Sequence, residues 1–197
     1  MHWAEYREGA KKAKIHLGFD LNRGISLKLH LTDGKEAERP FVSEIVRPGQ
    51  TGVLDRGYQA HELFDAWQEQ EINFVCRTLE KTKKTIIQKH DIEPNGIILY
   101  DATVKLGTPK VNQTKKNIRV IGYRVNGKVY WVATNRFDLS AEQIASIYKL
   151  RWEIENFFAW WKRHLKVYHL IARSEYGLMV QILSRLNHLL IADHLLP

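Results

Sequence analysis

Tyr148, Arg151, Glu155 and Lys162 follow one another at offsets of three, four and seven residues inside Ser140–Lys166, SAEQIASIYKLRWEIENFFAWWKRHLK. On a helix, at about 100° per residue, all four fall within about 60° of one another. A phenol, two cations and a carboxylate then share one side of one element. Such a row has two readings. One is a solvated edge carrying an ordinary Arg–Glu pair at i,i+4, which contributes little to stability. The other is a set of charges aimed at a ligand. A second carboxylate, Asp55, closes the short apolar run Thr51-Gly52-Val53-Leu54 and is followed by Arg56-Gly57-Tyr58. Ligands of α/β sheets meet the chain at such strand ends. An Asp shortly before a Gly is also common in plain turns.

The elements that would position these residues can be read from periodicity. Ser140 and Gln143 form a capping box, and no Gly or Pro follows before Lys166, so the stretch reads as a single long helix. Ile144, Ile147, Leu150, Ile154, Phe157, Phe158, Trp161 and Leu165 fall on one stripe, which is the face expected to be buried. The Tyr–Arg–Glu–Lys row runs beside that stripe, on its shoulder. Gly57 is expected to permit the tight exit after Asp55.

Further upstream, residues 14–21 and 25–31 alternate polar and apolar around Asn22-Arg23-Gly24, a β-hairpin pattern. Residues 35–46 read as a short helix interrupted or started by Pro40, 59–71 as an amphipathic helix with Leu63, Phe64 and Trp67 inward, and 72–79 as a strand. Short strands are expected near 85–90, 96–104, 117–125 and 128–134, with Asn126-Gly127 a strong hairpin signal. Residues 167–172 could be extended, and 175–196 read as an apolar helix packing through Leu178, Ile182, Leu186, Leu189 and Leu190.

The chain has 30 Lys and Arg against 22 Asp and Glu, a formal charge of +8, which favours a polyanionic partner and nucleic acid before membrane. With 44% hydrophobic residues in 197, one core-bearing domain is expected. A single cysteine, Cys76, excludes an internal disulfide and reads as a buried thiol. No apolar run reaches the length of a membrane span, and the opening residues do not form a signal peptide, so a cytoplasmic protein is expected. His164 and His169 lack a third ligand at zinc spacing. Trp161 belongs to the apolar stripe, whereas Trp152 and Trp160 face away from it and could stack on bases or pack against another helix.

The spacing Tyr148-x2-Arg151-x3-Glu155-x6-Lys162, with Leu54-Asp55-Arg56-Gly57-Tyr58 about a hundred residues before the glutamate, resembles the insertion-sequence-four family of DDE transposases. The resemblance runs from near Trp3 to about Ser184. It implies an α/β fold: an RNase H-like mixed sheet with flanking helices, spanning 1–197 as a partial catalytic domain, with a β-rich insertion at 81–137 before the Glu-bearing helix. It implies Asp55 and Glu155 as the second and third of three carboxylates that hold two Mg2+ (or Mn2+) ions. These sit roughly 4 Å apart for in-line phosphoryl transfer. Tyr148, Arg151 and Lys162 are then the residues that hold DNA phosphates near the transposon end. The implied partners are double-stranded DNA, as terminal inverted repeats and target, and a second copy in a homodimer, at the bacterial nucleoid.

The family's first aspartate precedes the hairpin. Asp20 and Asp33 are the nearby aspartates, and the flanks of Asp20 do not match. The expectation is therefore the C-terminal part of a transposase, truncated at its N-terminus and catalytically incomplete alone. An RNase H-like nuclease is one alternative, although it would not require the phosphate-holding row. A non-catalytic DNA-binding remnant is the other.

Overall fold

The computed structural model describes residues 5–7, 10–11, 13–23, 25–35, 37, 39–165 and 174–184. They divide into two compact units, one of residues 38–151 and one of residues 1–37 with 152–197.

The unit of residues 38–151 is built on a six-stranded mixed sheet. Its strands are β5 (Thr51–Leu54), β6 (Asn73–Thr78), β7 (Lys84–Lys89), β8 (Ile98–Leu106), β9 (Ile118–Val125) and β10 (Lys128–Thr134), in the order β5-β6-β10-β9-β8-β7. The pair β5–β6 is parallel and every other pairing is antiparallel. The four strands of 81–137 thus continue the sheet that β5 and β6 begin. Asn126 and Gly127 turn β9 into β10 with left-handed φ of 50° and 74°, the primed turn that the Asn-Gly pair favours.

Period-two alternation lets both faces of the sheet be covered. Leu54, Phe74 and Cys76 point to one face, where α2 (His61–Glu69) lays Phe64 and Trp67. Phe64 stacks on Phe74 at 4.5 Å, and Trp67 meets Phe74 edge-on at 5.7 Å. Burying each of these rings contributes about 1.5–3 kcal/mol before packing effects. Val53 and Val75 point to the other face, where α3 (Ala141–Lys149) packs Ile144, Ala145 and Tyr148 against Ile121 and Val132. The capping box is present in full: Gln143 N–H donates to Ser140 Oγ at 3.2 Å, and Ser140 N–H donates to Gln143 Oε1 at 2.8 Å. The helix expected over 35–46 is shorter, a 3-10 turn at Arg39–Phe41 that contains Pro40 and then α1 (Val42–Ile45).

The single long helix expected over Ser140–Lys166 is two helices. It breaks at Leu150, and α4 (Arg151–Leu165) follows. The two parts face different partners. α3 buries its apolar side on the sheet, whereas Phe157 of α4 lies 4.8 Å from Phe19. Leu150, placed on the buried stripe by periodicity, stands between them and is 43% exposed. Its N–H bonds to Ile147 O at 3.1 Å, the tightened turn of a helix end.

The other unit holds the expected hairpin, β3 (Ala13–Asp20) against β4 (Ile25–Asp33), and a small pair of β1 (Glu5–Arg7) with β2 (Ala10–Lys11). His16 Nε2 and Thr32 Oγ1 are hydrogen-bonded across the hairpin at 2.8 Å. Residues 175–184 are helical, with Leu178 and Ile182 buried as expected. The expected extended segment 167–172 and the packing residues Leu186, Leu189 and Leu190 lie outside the described residues.

Candidate functional site

Asp55 is the first residue after β5, at the C-terminal end of the parallel pair. Its backbone is extended, and the chain then turns through a 3-10 turn, Arg56–Tyr58. Tyr58 N–H donates to Asp55 O at 3.0 Å, and Arg39 Nε donates to Gly57 O at 3.1 Å. Gly57 does not adopt a left-handed conformation, so hydrogen bonding and not glycine freedom makes the tight exit. The Asp55 side chain is exposed and does not cap the turn. Its main-chain oxygen accepts from the buried Cys76 thiol at 3.6 Å. Burial, and then the charge of Asp55, push that thiol well above its ordinary range, so Cys76 stays protonated and serves as core.

Tyr148 corrects the shoulder position expected from helical angles, since its ring is only 3% exposed and packs in the core under α3. Its hydroxyl is buried without a partner in good hydrogen-bond geometry. The Arg151 guanidinium lies 5.7 Å from the centre of that ring. Burial pushes the phenol up to about 12, the Asp55 charge adds to the rise, and Arg151 and Arg77 oppose it. These mutual effects place Asp55, Tyr148, Arg151 and Arg77 in one neighbourhood.

Arg77 was not singled out from sequence. It sits on β6, on the same face as Val75, with its guanidinium 5.4 Å from the Tyr130 ring. Tyr130 stacks on Tyr123 at 5.6 Å. Burial, followed by Tyr148 and Tyr130, raises the Tyr123 phenol as well. The available signal was a lone Arg in the apolar strand run Phe74-Val75-Cys76-Arg77, one strand from Asp55 and on its face by alternation.

Glu155 and Lys162 stand on α4, in the other unit. Glu155 is exposed, and the side chain of Lys162 lies outside what the structure describes. The structure therefore brings together Asp55, Tyr148 and Arg151 from the expected set and adds Arg77. Trp152 is 52% exposed, and the side chains of Trp160 and Trp161 are outside the described part.

An exposed carboxylate can receive a hard cation on its oxygens, and guanidiniums in the same neighbourhood can receive a phosphate. Asp55 fits as one oxygen ligand. Among the described residues no group of three or more His, Cys, Asp and Glu forms a complete metal site. Asp20 and Asp33 are used otherwise. Asp20 accepts the Asn22 and Arg23 N–H groups at 2.9 and 3.1 Å, and Asp33 accepts Lys35 N–H at 2.8 Å. No described helix is long and apolar enough to cross a membrane.

Residues 2–191 match the family model described as the transposase DDE domain. A protein of Geobacillus stearothermophilus described as the probable transposase for insertion sequence element IS5377 is 30% identical over 186 residues, 92% of this chain and 49% of that protein. The protein y4zB of Sinorhizobium fredii, which also carries the name of a transposase, is 26% identical over 92% of this chain and 53% of its own length. The transposase for insertion sequence element IS231D of Bacillus thuringiensis is 24% identical over 79% of this chain and 44% of its own length. The chain thus spans about half the length of the curated relatives it matches. The mixed sheet flanked by helices is the α/β architecture expected of an RNase H-like DDE transposase, and with the match over nearly its whole length the chain belongs to the transposase DDE domain family.

Proposed function

We propose that this chain acts in the transposition of an insertion sequence, by metal-dependent phosphoryl transfer at the element's ends. One observation carries the reading: an exposed Asp55 carboxylate at the end of a parallel strand pair, beside Arg77, Tyr148 and Arg151. In this reading Asp55 and Glu155 are ligands of Mg2+ or Mn2+. Such metals, when bound, activate the attacking oxygen and stabilise the leaving oxygen of an in-line displacement. Arg151, Lys162 and the Tyr148 hydroxyl hold the phosphates that flank the cut, with Arg as a two-pronged donor and Lys as a point charge. Arg77 adds a second guanidinium on the strand side of the same cluster. The substrate is double-stranded DNA, as terminal inverted repeats and then target, and the working form is a dimer on the nucleoid.

The reading also proposes that the chain alone does not cut. In this reading neither Asp20 nor Asp33 is the family's first carboxylate; what supports it is that the Oδ1 atom of each accepts turn amides. By itself the chain would bind DNA without cleaving it. The test is a nicking assay on duplexes bearing candidate terminal repeats, with Mg2+ or Mn2+. The chain alone should be inactive, and fusion to the preceding half of a relative should restore cutting. Asp55→Asn or Glu155→Gln in the fusion should then lower cutting by more than about 100-fold, since even an outer partner of a metal ligand is worth about 10–100-fold. A fusion that cuts normally without Asp55 would overturn the assignment. Cutting by the unfused chain would overturn the proposal that it does not cut alone.

A further inference from the structure

The loop of residues 107–117, between β8 and β9, has no helix or strand, yet it is held from several sides. Both oxygens of Asp65 on α2 accept consecutive amides, Lys115 N–H at 2.7 Å and Lys116 N–H at 2.8 Å. Thr114 and Leu106 bond reciprocally, with Thr114 N–H to Leu106 O at 2.8 Å and Leu106 N–H to Thr114 Oγ1 at 3.0 Å. Gly107 N–H donates to Lys83 O at 2.7 Å, His61 Nδ1 meets Asn112 O at 2.8 Å, and Gln113 Nε2 donates to Thr85 Oγ1 at 2.9 Å. Asp65 is 8% exposed and Thr114 is 3% exposed, so the anchors lie inside and the lysines outside.

Those lysines share one sign with no internal answer. Residues 105–117 contain Lys105, Lys110, Lys115 and Lys116 and no Asp or Glu. Lys83 stands next to them, because its carbonyl receives the Gly107 amide, and Lys81 is two residues before it; within the bank the Lys105 amino group reaches Lys115 O. None of these six forms an ion pair among the described residues. Lys84 belongs to the core side instead, with its ammonium 5.0 Å from the Trp131 ring centre. The bank also connects to the candidate site. Thr82, between Lys81 and Lys83, takes a hydrogen bond from Gln59 Nε2 at 3.4 Å, and Gln59 is four residues beyond Asp55.

We propose that Lys81, Lys83, Lys105, Lys110, Lys115 and Lys116 form a preformed bank for the phosphate backbone of duplex DNA, taking the stretch that continues beyond the end held near Asp55. This rests on the proposed function above. The chemistry favours backbone and not bases: these are flexible point charges, with no planar donor pair suited to base edges. Anchoring the loop in advance lowers the ordering cost on binding. Asp65 is a positioning residue here, its charge satisfied by amides and turned away from the DNA side.

The test is duplex DNA binding by the full chain, followed by fluorescence anisotropy at several salt concentrations. The variant is Lys83→Gln, Lys110→Gln and Lys115→Gln together, three exposed side chains whose removal should leave the melting temperature unchanged. The slope of log K against log salt should become shallower by about 2.7, at about 0.9 for each phosphate no longer neutralised. A photo-crosslinker at position 110 should capture the duplex. An unchanged slope in a variant that melts normally would overturn the bank while leaving the proposed function standing, and would turn this face over to an acidic protein surface. No duplex binding by the parent chain would overturn both. Lost binding only on Arg151→Ala, with the triple variant like the parent, would overturn the bank alone.

Discussion

At Asp101 and Arg119 a charge pair lies inside the sheet. Arg119 donates to both Asp101 oxygens at 2.9 and 2.6 Å, and a third N–H reaches Leu139 O at 2.5 Å. The two side chains are 3% and 10% exposed. Such a pair adds little over well-packed apolar residues, but losing one partner strands a buried charge. Asp101→Asn should therefore cost about 3–5 kcal/mol in urea unfolding. A loss below about 1 kcal/mol, the range of an exposed pair, would show that water reaches the guanidinium. Neither residue was singled out from sequence, because an Asp and an Arg on adjacent strands carry no local mark of being neighbours. Tyr148 differs in kind. Its place on the helix capped by Ser140 was legible, but its depth was not. Helical angle gives a direction, whereas burial depends on the sheet that α3 lies on. The result is a residue whose ring and hydroxyl are both buried under α3.

Among the elements, strands with alternating residues and the Asn-Gly hairpin were readable, since their signals are local. The break at Leu150 was not. Nothing in the sequence marks the point where one apolar stripe stops facing the sheet and the next begins to face Phe19. The anchored loop was not readable either, because the side chains that hold it, Asp65 and His61, are distant in sequence. Gly107 is its hinge to β8, with φ +108°, and a Cβ there would overlap the Asn112 carbonyl and crowd the His61 ring. Gly107→Ala should destabilise by more than about 1 kcal/mol, the usual scale for a substitution incompatible with the native backbone. Chemical denaturation of this variant, with Gly127→Ala as comparison, measures it. Gly127 is left-handed too but faces open space, so it carries backbone strain alone. Equal losses at the two sites would mean that the loop yields to the added methyl.

For the molecule as a whole, class is easier to read from residues than arrangement is. Strand–helix alternation points to an α/β protein, as the mixed sheet with flanking helices shows. The division into two units, with its boundary inside the expected single helix, comes from packing between distant segments. Several core groups of the sheet unit respond to alkali together. Tyr148 has an ordinary value of 10.0 and is held up to about 12, and Tyr123 and Cys76 are raised by burial as well. A raised folded value favours the neutral form. The stability it gives is whole below pH 10 and is lost as pH climbs towards 12. Melting temperature should be level up to about pH 9 and fall steadily above about pH 10, where the unfolded phenols begin to ionise. In Tyr148→Phe the fall should be shallower. A parent curve that stays flat to pH 12 would show that these phenols ionise in the folded core without penalty.

β7 closes one side of the sheet, and among the described residues its outer edge pairs with nothing. Ile86 and Ile87 on it are 47% and 55% exposed, a pattern that invites another chain to add a strand. Two features blunt that invitation: the register slips between Ile86 and Gln88, and lysines stand at both ends of the strand. The positive charges around β7 are therefore gatekeepers against fibrous self-association, and a polyanion that neutralises them would lift part of that guard.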